Sequence, residues 1–313
     1  MQKFPINLLF FLYWVFMLLC SQILFPHIET TRDIQIGLGY NVWFYSWSND
    51  PNCVDKPVLG YYNSDNLGVL RSHIYWFDDL GIDFVMIPWQ GVNNNPYVNQ
   101  NTHLFFEVLK SCSKHVRACI CIEKTGAETN ETELYNYISD EFVAQYPNNY
   151  YYHKGKPLII FFSVDSTIFN ASDPLKKDSR FTTVTMGISE QDDWLYQNIN
   201  YPEKGFPPNY GGESPRCGHI PVIPRYDDTH ITNPPRPSQY CCDPQLTWLF
   251  DAEWKKALDA VKNNEVDVIT ISWWNEYAER TNIEPHYDYT ALNKDPFFLY
   301  NKTKTYIQIA KQI

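Results

Sequence analysis

The feature that most constrains the fold of this chain is an alternation of short apolar strands with amphipathic helices from residue 34 to its end. Strand-like segments cover residues 34–45, 82–88, 116–122, 157–164, 181–188, 194–199, 219–224 and 266–271, and helical spacing of apolar residues marks 69–80, 102–113, 131–145, 248–262 and 296–312. Units of strand, helix and strand build parallel sheets with right-handed crossovers. Because no Ser/Gly-rich linker and no fixed-period repeat interrupts the pattern, we predict one α/β domain over residues 30–313, a (β/α)8 barrel of the TIM type.

The first predicted helix has well-defined ends. Asp65 and Asn66 offer side chains that can cap its N-terminus, and Gly81 follows its last apolar residue, where glycine ends helices at little steric cost. His73 shares the spacing of the apolar residues in this helix. We therefore predict that His73 packs in the core and does not act as a catalytic base.

The stretch over residues 266–286, V-D-V-I-T-I-S-W-W-N-E-Y-A-E-R-T-N-I-E-P-H, changes character abruptly. Its first six residues indicate a central parallel strand buried on both faces, because β-branched side chains dominate them. Two tryptophans, an asparagine and three glutamates then follow within 12 residues. Since ligands of parallel α/β proteins bind at the carboxyl ends of the strands, this segment predicts an active site at that edge of the sheet.

Glu276 and Glu279 lie three residues apart just after this strand. Cleavage of a glycosidic bond needs an acid that protonates the leaving oxygen and a second carboxylate that assists attack at the anomeric carbon. Two neighbouring carboxylates tend to titrate apart, which gives one protonated and one ionised group. Surface carboxylates at a helix start are the alternative, but the tryptophans on one side and Tyr277 between them favour the catalytic interpretation.

Composition narrows the possible ligands. The net charge is -11 and no basic run occurs, so the chain would repel the phosphate backbone of nucleic acid. Aromatic residues make up 17% of the chain, with 23 Tyr and 10 Trp, and such rings can stack on the faces of sugars. The eight histidines are scattered and the H-E-x-x-H pattern does not occur, so we predict no metal and no other cofactor.

The N-terminus predicts entry into the secretory pathway. Lys3 precedes an apolar run over residues 8–19 that has the length of a signal-peptide core and is short for a membrane span. We predict a signal peptide over residues 1–21, with an uncleaved membrane anchor as the alternative. A secreted or lumenal location also fits three N-glycosylation sequons, at Asn130, Asn170 and Asn301.

Seven cysteines follow Cys20, which the predicted signal peptide would remove: Cys53, Cys112, Cys119, Cys121, Cys217, Cys241 and Cys242. Because seven is odd, at least one thiol is expected to stay free or to pair between chains. Cys119 and Cys121 face the same way in a predicted strand. Cys217 is near enough in sequence to Cys241 or Cys242 to close a loop.

Residues 274–285, W-N-E-Y-A-E-R-T-N-I-E-P, resemble the W-N-E-W-x-E-G-T-x-I-E-P signature of the glycoside hydrolase family 99-like group. That group includes endo-α-1,2-mannosidases and is similar to the family 71 α-1,3-glucanases. Further stretches agree in order: Y-S-W at 45–47, P-V-L-G-Y-Y-N-S-D at 57–65, R-S-H-I before G-I-D-F at 81–84, G-K-P at 155–157 and Y-D-D-T at 226–229. The resemblance spans residues 37–285.

The resemblance implies a barrel that cleaves α-linked glycans with retention of configuration and without a metal. It implies that Glu276 acts as a base on the 2-hydroxyl of the sugar, which gives a 1,2-anhydro intermediate, and that Glu279 protonates the leaving group and then activates water. Tyr277 replaces the usual tryptophan and keeps a ring. Arg280 replaces the usual glycine, and its charge could lower the pKa of Glu279 and weaken it as an acid, or could point to solvent.

The residues predicted to bind the substrate are aromatic or polar side chains at strand ends and after the last strand: Tyr45, Trp47, Trp89, Glu123, Tyr226, Asp227, Trp274, Asn275 and Tyr277. For the aromatic residues core packing is the alternative, and the carboxylates could instead cap helices. Glu284 is predicted to hold its loop, with sugar binding as the alternative.

The predicted function is hydrolysis of α-mannosidic or other α-glycan linkages in an oligosaccharide or polysaccharide by a retaining, endo-acting enzyme. Two alternatives stay open. In one, Arg280 has disabled the glutamate pair and the barrel only binds carbohydrate. In the other, the chain is a polysaccharide-processing protein of the same group, against which the predicted leader and the sequons argue. A membrane is expected as a partner only if the N-terminal segment is an uncleaved anchor.

Overall fold

The computed structural model describes residues 33–47, 50–113, 115–123, 131–162, 178–186, 194, 215, 217–232, 235 and 239–313. Residues Asp33–Ile313 form one compact unit. The predicted signal peptide, the sequons at Asn130 and Asn170 and most of the predicted sixth strand lie outside the described residues. Among the residues described, none of the helices has the length and apolar character needed to cross a bilayer.

A curved sheet of seven parallel strands forms the centre of the described fold. In sheet order these strands are β7 (Thr182–Met186), β6 (Lys156–Phe162), β4 (Arg117–Glu123), β3 (Phe84–Trp89), β1 (Gln35–Gly39), β11 (Val268–Ile271) and β8 (His219–Val222). Each coincides with a predicted strand, and β3, β8 and β11 are buried along their full length. The strand order is that of consecutive barrel strands, in which the first and the last strand in sequence pair with each other.

The predicted sixth strand is described at one residue. Trp194 forms an isolated parallel bridge with Met186, the last residue of β7, and its ring stacks on His219 of β8 with 4.6 Å between the ring centroids. Trp194 therefore lies between the two outer strands of the sheet. The described residues establish an α/β fold with a curved parallel sheet, and closure into eight strands stays a prediction.

In the described part of the chain five α-helices accompany the sheet: α1 (Leu67–Leu80), α2 (Pro96–Cys112), α3 (Glu131–Tyr137), which a π-helical segment at Ile138–Val143 continues, α4 (Leu249–Lys262) and α5 (Phe298–Ala310). The predicted ends of α1 are confirmed, because Asn66 Oδ1 accepts from the N–H groups of Gly68 and Val69, and Gly81 has a φ of 81°. Helix α2 begins six residues earlier than predicted, since Asn95 caps it and Pro96 opens it in a stretch with little apolar periodicity.

Three short antiparallel pairings were not predicted. Strand β5 (Tyr152–His153) pairs with the start of β6, β9 (Tyr226–Asp227) pairs with β10 (Cys241–Cys242), and β2 (Lys56–Pro57) pairs with β12 (His286–Tyr287). The last two join segments at the end of the sheet where β8 and β11 finish. They hold together the loops that carry the candidate site.

All seven cysteines are free thiols in this structure. Cys119 and Cys121 are buried in β4, where they face the same side as predicted, whereas Cys217 is exposed and forms no disulfide with Cys241 or Cys242. The fold is therefore held by its core and its polar contacts. Asn301, the sequon that the structure describes, is exposed on α5.

Candidate active site

The segment that follows β11 is bound on both sides to the backbone of its neighbouring strands. Ser272 donates its N–H to the carbonyl of Val222 at 3.0 Å, and Trp274 donates to the carbonyl of Gly39 at 2.6 Å. A side chain at Gly39 would not fit, because a Cβ there would lie 2.3 Å from both the Ser272 carbonyl oxygen and the Trp273 ring. The close approach fixes the point from which the glutamate segment leaves the sheet.

Asn41 and Asn275 hold the start of this segment. Asn275 accepts from the backbone N–H of Asn41 at 2.8 Å and donates to its carbonyl at 2.9 Å, so the side-chain amide pairs with the backbone in both directions. The amide of Asn41 in turn donates to Oε2 of Glu276 at 2.9 Å, while Oε1 of Glu276 accepts from the N–H of Ala278 at 3.2 Å. Both oxygens of Glu276 are therefore fixed in position.

Glu276 is set up to hold a proton. Burial raises the pKa of its carboxyl group to about 8, and the negative charges of Glu279 and Glu123 act in the same direction, against the stabilising N–H of Ala278. Glu276 and Glu279 are thus close enough to influence each other, and both side chains are half-buried at the end of β11. This raised pKa favours the protonated form of Glu276 near neutral pH.

The backbone that follows the Glu279 side chain is bound at two successive carbonyl groups. Its carbonyl oxygen accepts from the N–H of Asp227 at 2.9 Å, and the next carbonyl, that of Arg280, accepts from Nε of Arg225 at 2.8 Å. Arg280 has a φ of 53°, in the left-handed region that costs an ordinary L-residue about 1 kcal/mol. This conformation explains why glycine is the usual residue at the corresponding place of the signature.

The Arg280 side chain is completely buried and points away from solvent. Its Nε donates to Asp55 at 2.9 Å, its Nη1 donates to Asp227 at 2.8 Å, and its Nη2 donates to Asp288 at 3.1 Å. A further bond joins Nη2 to the hydroxyl of Thr290 at 2.7 Å. The prediction that the Arg280 side chain could point to solvent is therefore wrong. The guanidinium pairs with three aspartates instead.

We call Arg225, Arg280, Asp55, Asp227 and Asp288 the arginine–aspartate cluster. Arg225 is also fully buried, donating to Asp55 at 2.8 Å and to Asp288. Although burial opposes ionisation, contacts with His286 and with both arginines hold the pKa of Asp288 well below its usual range. Asp288 is therefore held in its ionised form beside the two arginines.

Among the described residues, Asp55, His286 and Asp288 lie close enough together to ligate a cation. The carboxylates of Asp55 and Asp288 already accept hydrogen bonds from the two buried guanidinium groups. The arginines therefore supply the positive charge that a metal would bring to this place.

Glu284 lies behind the site in a second buried group. Its Oε1 is 3.0 Å from Nε2 of His73, its Oε2 accepts from the hydroxyl of Tyr62 at 2.7 Å, and the hydroxyl of Tyr40 is 3.0 Å from Nδ1 of His73. The side chain of Glu284 is fully buried, as is His73, which confirms the core position predicted for this histidine. Because Tyr62 also accepts from Asn275 at 3.3 Å, this group supports the residue next to Glu276.

The structure places the predicted substrate-binding residues at different depths. Tyr45 is 67% exposed with its ring against Tyr97, and Glu123 is half-buried at the end of β4, where its charge acts on Glu276. The remaining predicted residues are buried: Trp47, Trp89, Tyr226, Asp227, Trp274, Asn275 and Tyr277. The seven buried residues pack around the site or position its backbone. Contact with a sugar stays a prediction, and Tyr45 and Glu123 are accessible enough for it without a change of conformation.

Sequence reasoning missed Asn41, Asp55, Arg225 and Asp288. Asn41 was assigned to the interior of a strand over residues 34–45, but β1 ends at Gly39 and puts Asn41 at the rim. The available signal was the asparagine two positions after the run I-Q-I-G-L-G. Asp55 and Asp288 lie in loops, and their importance follows from their pairing with Arg280. Asp55 is more than two hundred residues from Arg280 along the chain, so its local sequence gave no signal of this contact.

Comparison with known proteins supports the fold. No family model matches the chain, and no curated protein sequence matches it either. Solved structures do. The chain is similar in fold to the family 99 (GH99) endo-α-mannosidase from Bacteroides thetaiotaomicron.

The structure of that endo-α-mannosidase in complex with bis-tris-propane superposes with a TM-score of 0.68 and 17% identity, covering 89% of this chain and 97% of the other. A second structure of the same enzyme gives a TM-score of 0.66 at 18% identity, with 89% and 98% coverage. A protein described as glycoside hydrolase-like gives 0.58 at 15% identity, with 91% and 96% coverage. The predicted resemblance to the family 99-like group is thus confirmed at the level of fold.

Proposed function

We propose that this protein is a retaining, endo-acting glycoside hydrolase that cleaves α-mannosidic or related α-glycan linkages with Glu276 and Glu279 and without a metal. The observation that carries the proposal is the glutamate pair at the carboxyl end of β11, in which burial and the charge of Glu279 raise the pKa of Glu276. The similarity in fold to an endo-α-mannosidase supports the choice of this substrate class. Buried glutamates with a raised pKa are characteristic of sites that move protons.

In the proposed reaction the pair holds one proton, and the reactive form carries it on Glu279. Ionised Glu276 removes the proton of the 2-hydroxyl, whose oxygen attacks the anomeric carbon while Glu279 protonates the departing glycosidic oxygen. Water then gives a proton to Glu279 and opens the 1,2-anhydro ring, and Glu276 returns its proton to the 2-oxygen. Two inversions at one carbon give net retention.

The Asn41 amide fits this division of roles. It donates to Oε2 of Glu276 and stabilises the ionised form that a base requires, although the raised pKa puts the proton on Glu276 in the free protein. Substrate that presents its 2-hydroxyl to Glu276 would favour transfer of that proton to Glu279, because the hydroxyl donates a hydrogen bond to the ionised carboxylate.

The alternative of a carbohydrate-binding barrel without activity rested on Arg280. Its guanidinium pairs with Asp55, Asp227 and Asp288, so its positive charge is balanced within the arginine–aspartate cluster. The reason for expecting an impaired acid is thereby weakened. Hydrolysis is therefore the function we put to the test.

The test is product release from an α-mannan, a high-mannose glycan and an α-1,3-glucan, measured with and without a chelator. We expect internal cleavage, the α-anomer as first product, and a loss of at least about 100-fold in kcat for Glu279→Gln and Glu276→Gln. Glu265→Gln, which changes an exposed glutamate before β11, is the matched control and should behave as wild type.

Unchanged release by Glu279→Gln would rule out its role as the acid. Binding of these glycans without release of any product would favour the carbohydrate-binding barrel. Loss of activity with the chelator that added metal restores would contradict metal independence.

A further inference from the structure

Arg280 follows Glu279 directly, and several buried contacts hold its side chain. A left-handed residue with a long side chain is unfavourable both in backbone energy and in desolvation of its charge. Glycine would avoid both costs. An arginine in this conformation therefore needs a compensating role.

The contacts of Arg280 converge on the peptide that carries Glu279. Asp227 binds twice, since its backbone N–H donates to the Glu279 carbonyl at 2.9 Å and its carboxylate accepts from Arg280 Nη1 at 2.8 Å. Arg225 donates to the carbonyl of Arg280 and to Asp55, which also accepts from Arg280. The two peptide units that follow the Glu279 side chain are thus tied to one buried cluster.

This arrangement also separates the Arg280 charge from the reacting carboxylates. Asp55, Asp227 and Asp288 accept from every nitrogen of its guanidinium, in three directions. A buried cation whose donors are satisfied elsewhere does not need Glu279 as a partner. Arg280 can therefore hold the backbone beside Glu279 without forming an ion pair with it.

We propose that Arg280 is a positioning residue, which fixes the Glu279 side chain for proton transfer through its buried ion pairs with Asp55, Asp227 and Asp288. The inference rests on the proposed function, in which Glu279 is the acid. It adds that an arginine, at the position where the signature that this segment resembles has glycine, holds a left-handed backbone conformation by its side-chain contacts. Proton transfer is sensitive to displacements on the order of 1 Å, so the loss should appear in kcat rather than in KM.

The experiment compares wild type with Arg280→Gly, which suits the backbone but removes the ion pairs, and with Arg280→Lys, which keeps the charge but loses the forked geometry. We expect kcat to fall at least about 10-fold in Arg280→Gly and less in Arg280→Lys, with KM within about threefold of wild type. Lys154→Gly is the matched control, because Lys154 is an exposed lysine with a φ of 51° in the turn between β5 and β6.

Folding is checked by circular dichroism and thermal unfolding of each variant. If Arg280→Gly does not fold, Asp227→Asn replaces it, since it keeps the backbone N–H on Glu279 and weakens the pairing with Arg280. A severalfold fall in kcat at unchanged KM is then expected. A wild-type kcat in folded Arg280→Gly or in folded Asp227→Asn would overturn the proposal. A change confined to KM in these variants would overturn it as well.

A readout that does not depend on activity separates this inference from the proposed function. Carboxyl carbon NMR, assigned with Glu276→Gln and Glu279→Gln, gives the pKa of Glu276, which the charge of Glu279 raises. Arg280→Lys keeps the net charge, so a pKa of Glu276 lower by half a unit or more would report that Glu279 has moved. An unchanged pKa of Glu276 in Arg280→Lys would overturn the positioning role, whether or not the wild type is active. Absence of hydrolysis by the wild type across the glycan panel would instead refute the proposed function.

Discussion

Two groups of carboxylates lie in contact with the same stretch of chain after β11, and their surroundings are opposite. Glu276 and Glu279 face each other and Glu123, and the pKa of Glu276 is raised to about 8 by burial and by these negative charges. Asp55, Asp227 and Asp288 face Arg225 and Arg280. In Asp227, hydrogen bonds from Thr229 and Arg280 overcome the effect of burial and lower the pKa.

The difference teaches how the two groups divide their tasks. A carboxylate paired with arginine stays ionised and holds structure, whereas one left near other carboxylates keeps a proton that it can give up or exchange. The arginine–aspartate cluster binds the backbone that follows Glu279, and we propose that this paired group keeps the glutamates in place. Three substitutions test this comparison.

The largest effect is expected when the carboxylate that both arginines of the cluster contact is neutralised. Asp55→Asn leaves Arg225 and Arg280 with one carboxylate fewer in the interior, and we expect the free energy of unfolding to fall by about 3–5 kcal/mol, measured by urea denaturation. Asp178→Asn is the control, because its pair with Arg180 is exposed to solvent and should cost less than about 1 kcal/mol. Equal effects of the two substitutions would show that the buried cluster contributes no special stability.

A smaller effect of opposite sign on the free energy of unfolding is expected when the ionisable carboxyl group of Glu276 is removed. The pKa of Glu276 is about 8 in the folded protein against 4.5 for an ordinary glutamate, so the folded state holds more protons between these values and loses stability as the pH rises through this window. Glu276→Gln removes this loss, and we expect it to be more stable than wild type by about 1–3 kcal/mol at pH 8.

The same comparison at pH 5 should show a smaller difference, because pH 5 is close to the ordinary pKa of 4.5 and only a small part of the loss has accumulated there. Unfolding free energies at pH 5, 6.5 and 8 therefore decide the point. A difference between variant and wild type that does not depend on pH would contradict the raised pKa.

The smallest effect concerns the buried group that supports the site from behind. Tyr62→Phe removes the hydroxyl that donates to Glu284 and accepts from Asn275, and we expect a loss of about 1–2 kcal/mol in unfolding free energy. Tyr152→Phe, at a tyrosine that is 42% exposed, should change it by less than about 0.5 kcal/mol. A neutral Tyr62→Phe would mean that water replaces the lost contact.

Much of the fold could be predicted because periodicity is local. The run V-I-T-I gave β11, and the Asn66 and Gly81 caps gave both ends of α1. The end of β1 could not be predicted in this way, because strand-like residues continue past Gly39. The strand stops there since the backbone of Ser272 and the ring of Trp273 pack against Gly39, and that contact comes from a segment more than two hundred residues away.

The candidate site was predicted in part for a similar reason. The positions of Glu276 and Glu279 after a buried strand could be read from the chain, and so could the departure at Arg280 from the related signature. Aromatic residues such as Trp274 and Tyr277 were predicted to meet substrate because their type suits sugars, but both are fully buried. Residue type indicates what a side chain can bind, and burial decides whether it is accessible.

The sequence by itself determined the alternation of strands and helices, the caps of the first helix and the place of the glutamate pair at a strand end. The tertiary structure decided the surroundings that raise the pKa of Glu276 and the partners of Arg280. The physical reason is that secondary structure follows from neighbours along the chain, whereas desolvation and charge depend on neighbours in space. Asp55 and Arg280 meet only in the folded protein. Their pairing is the reason that we propose Arg280 as a support of the glutamate pair, although its charge in the sequence alone indicated an impaired acid.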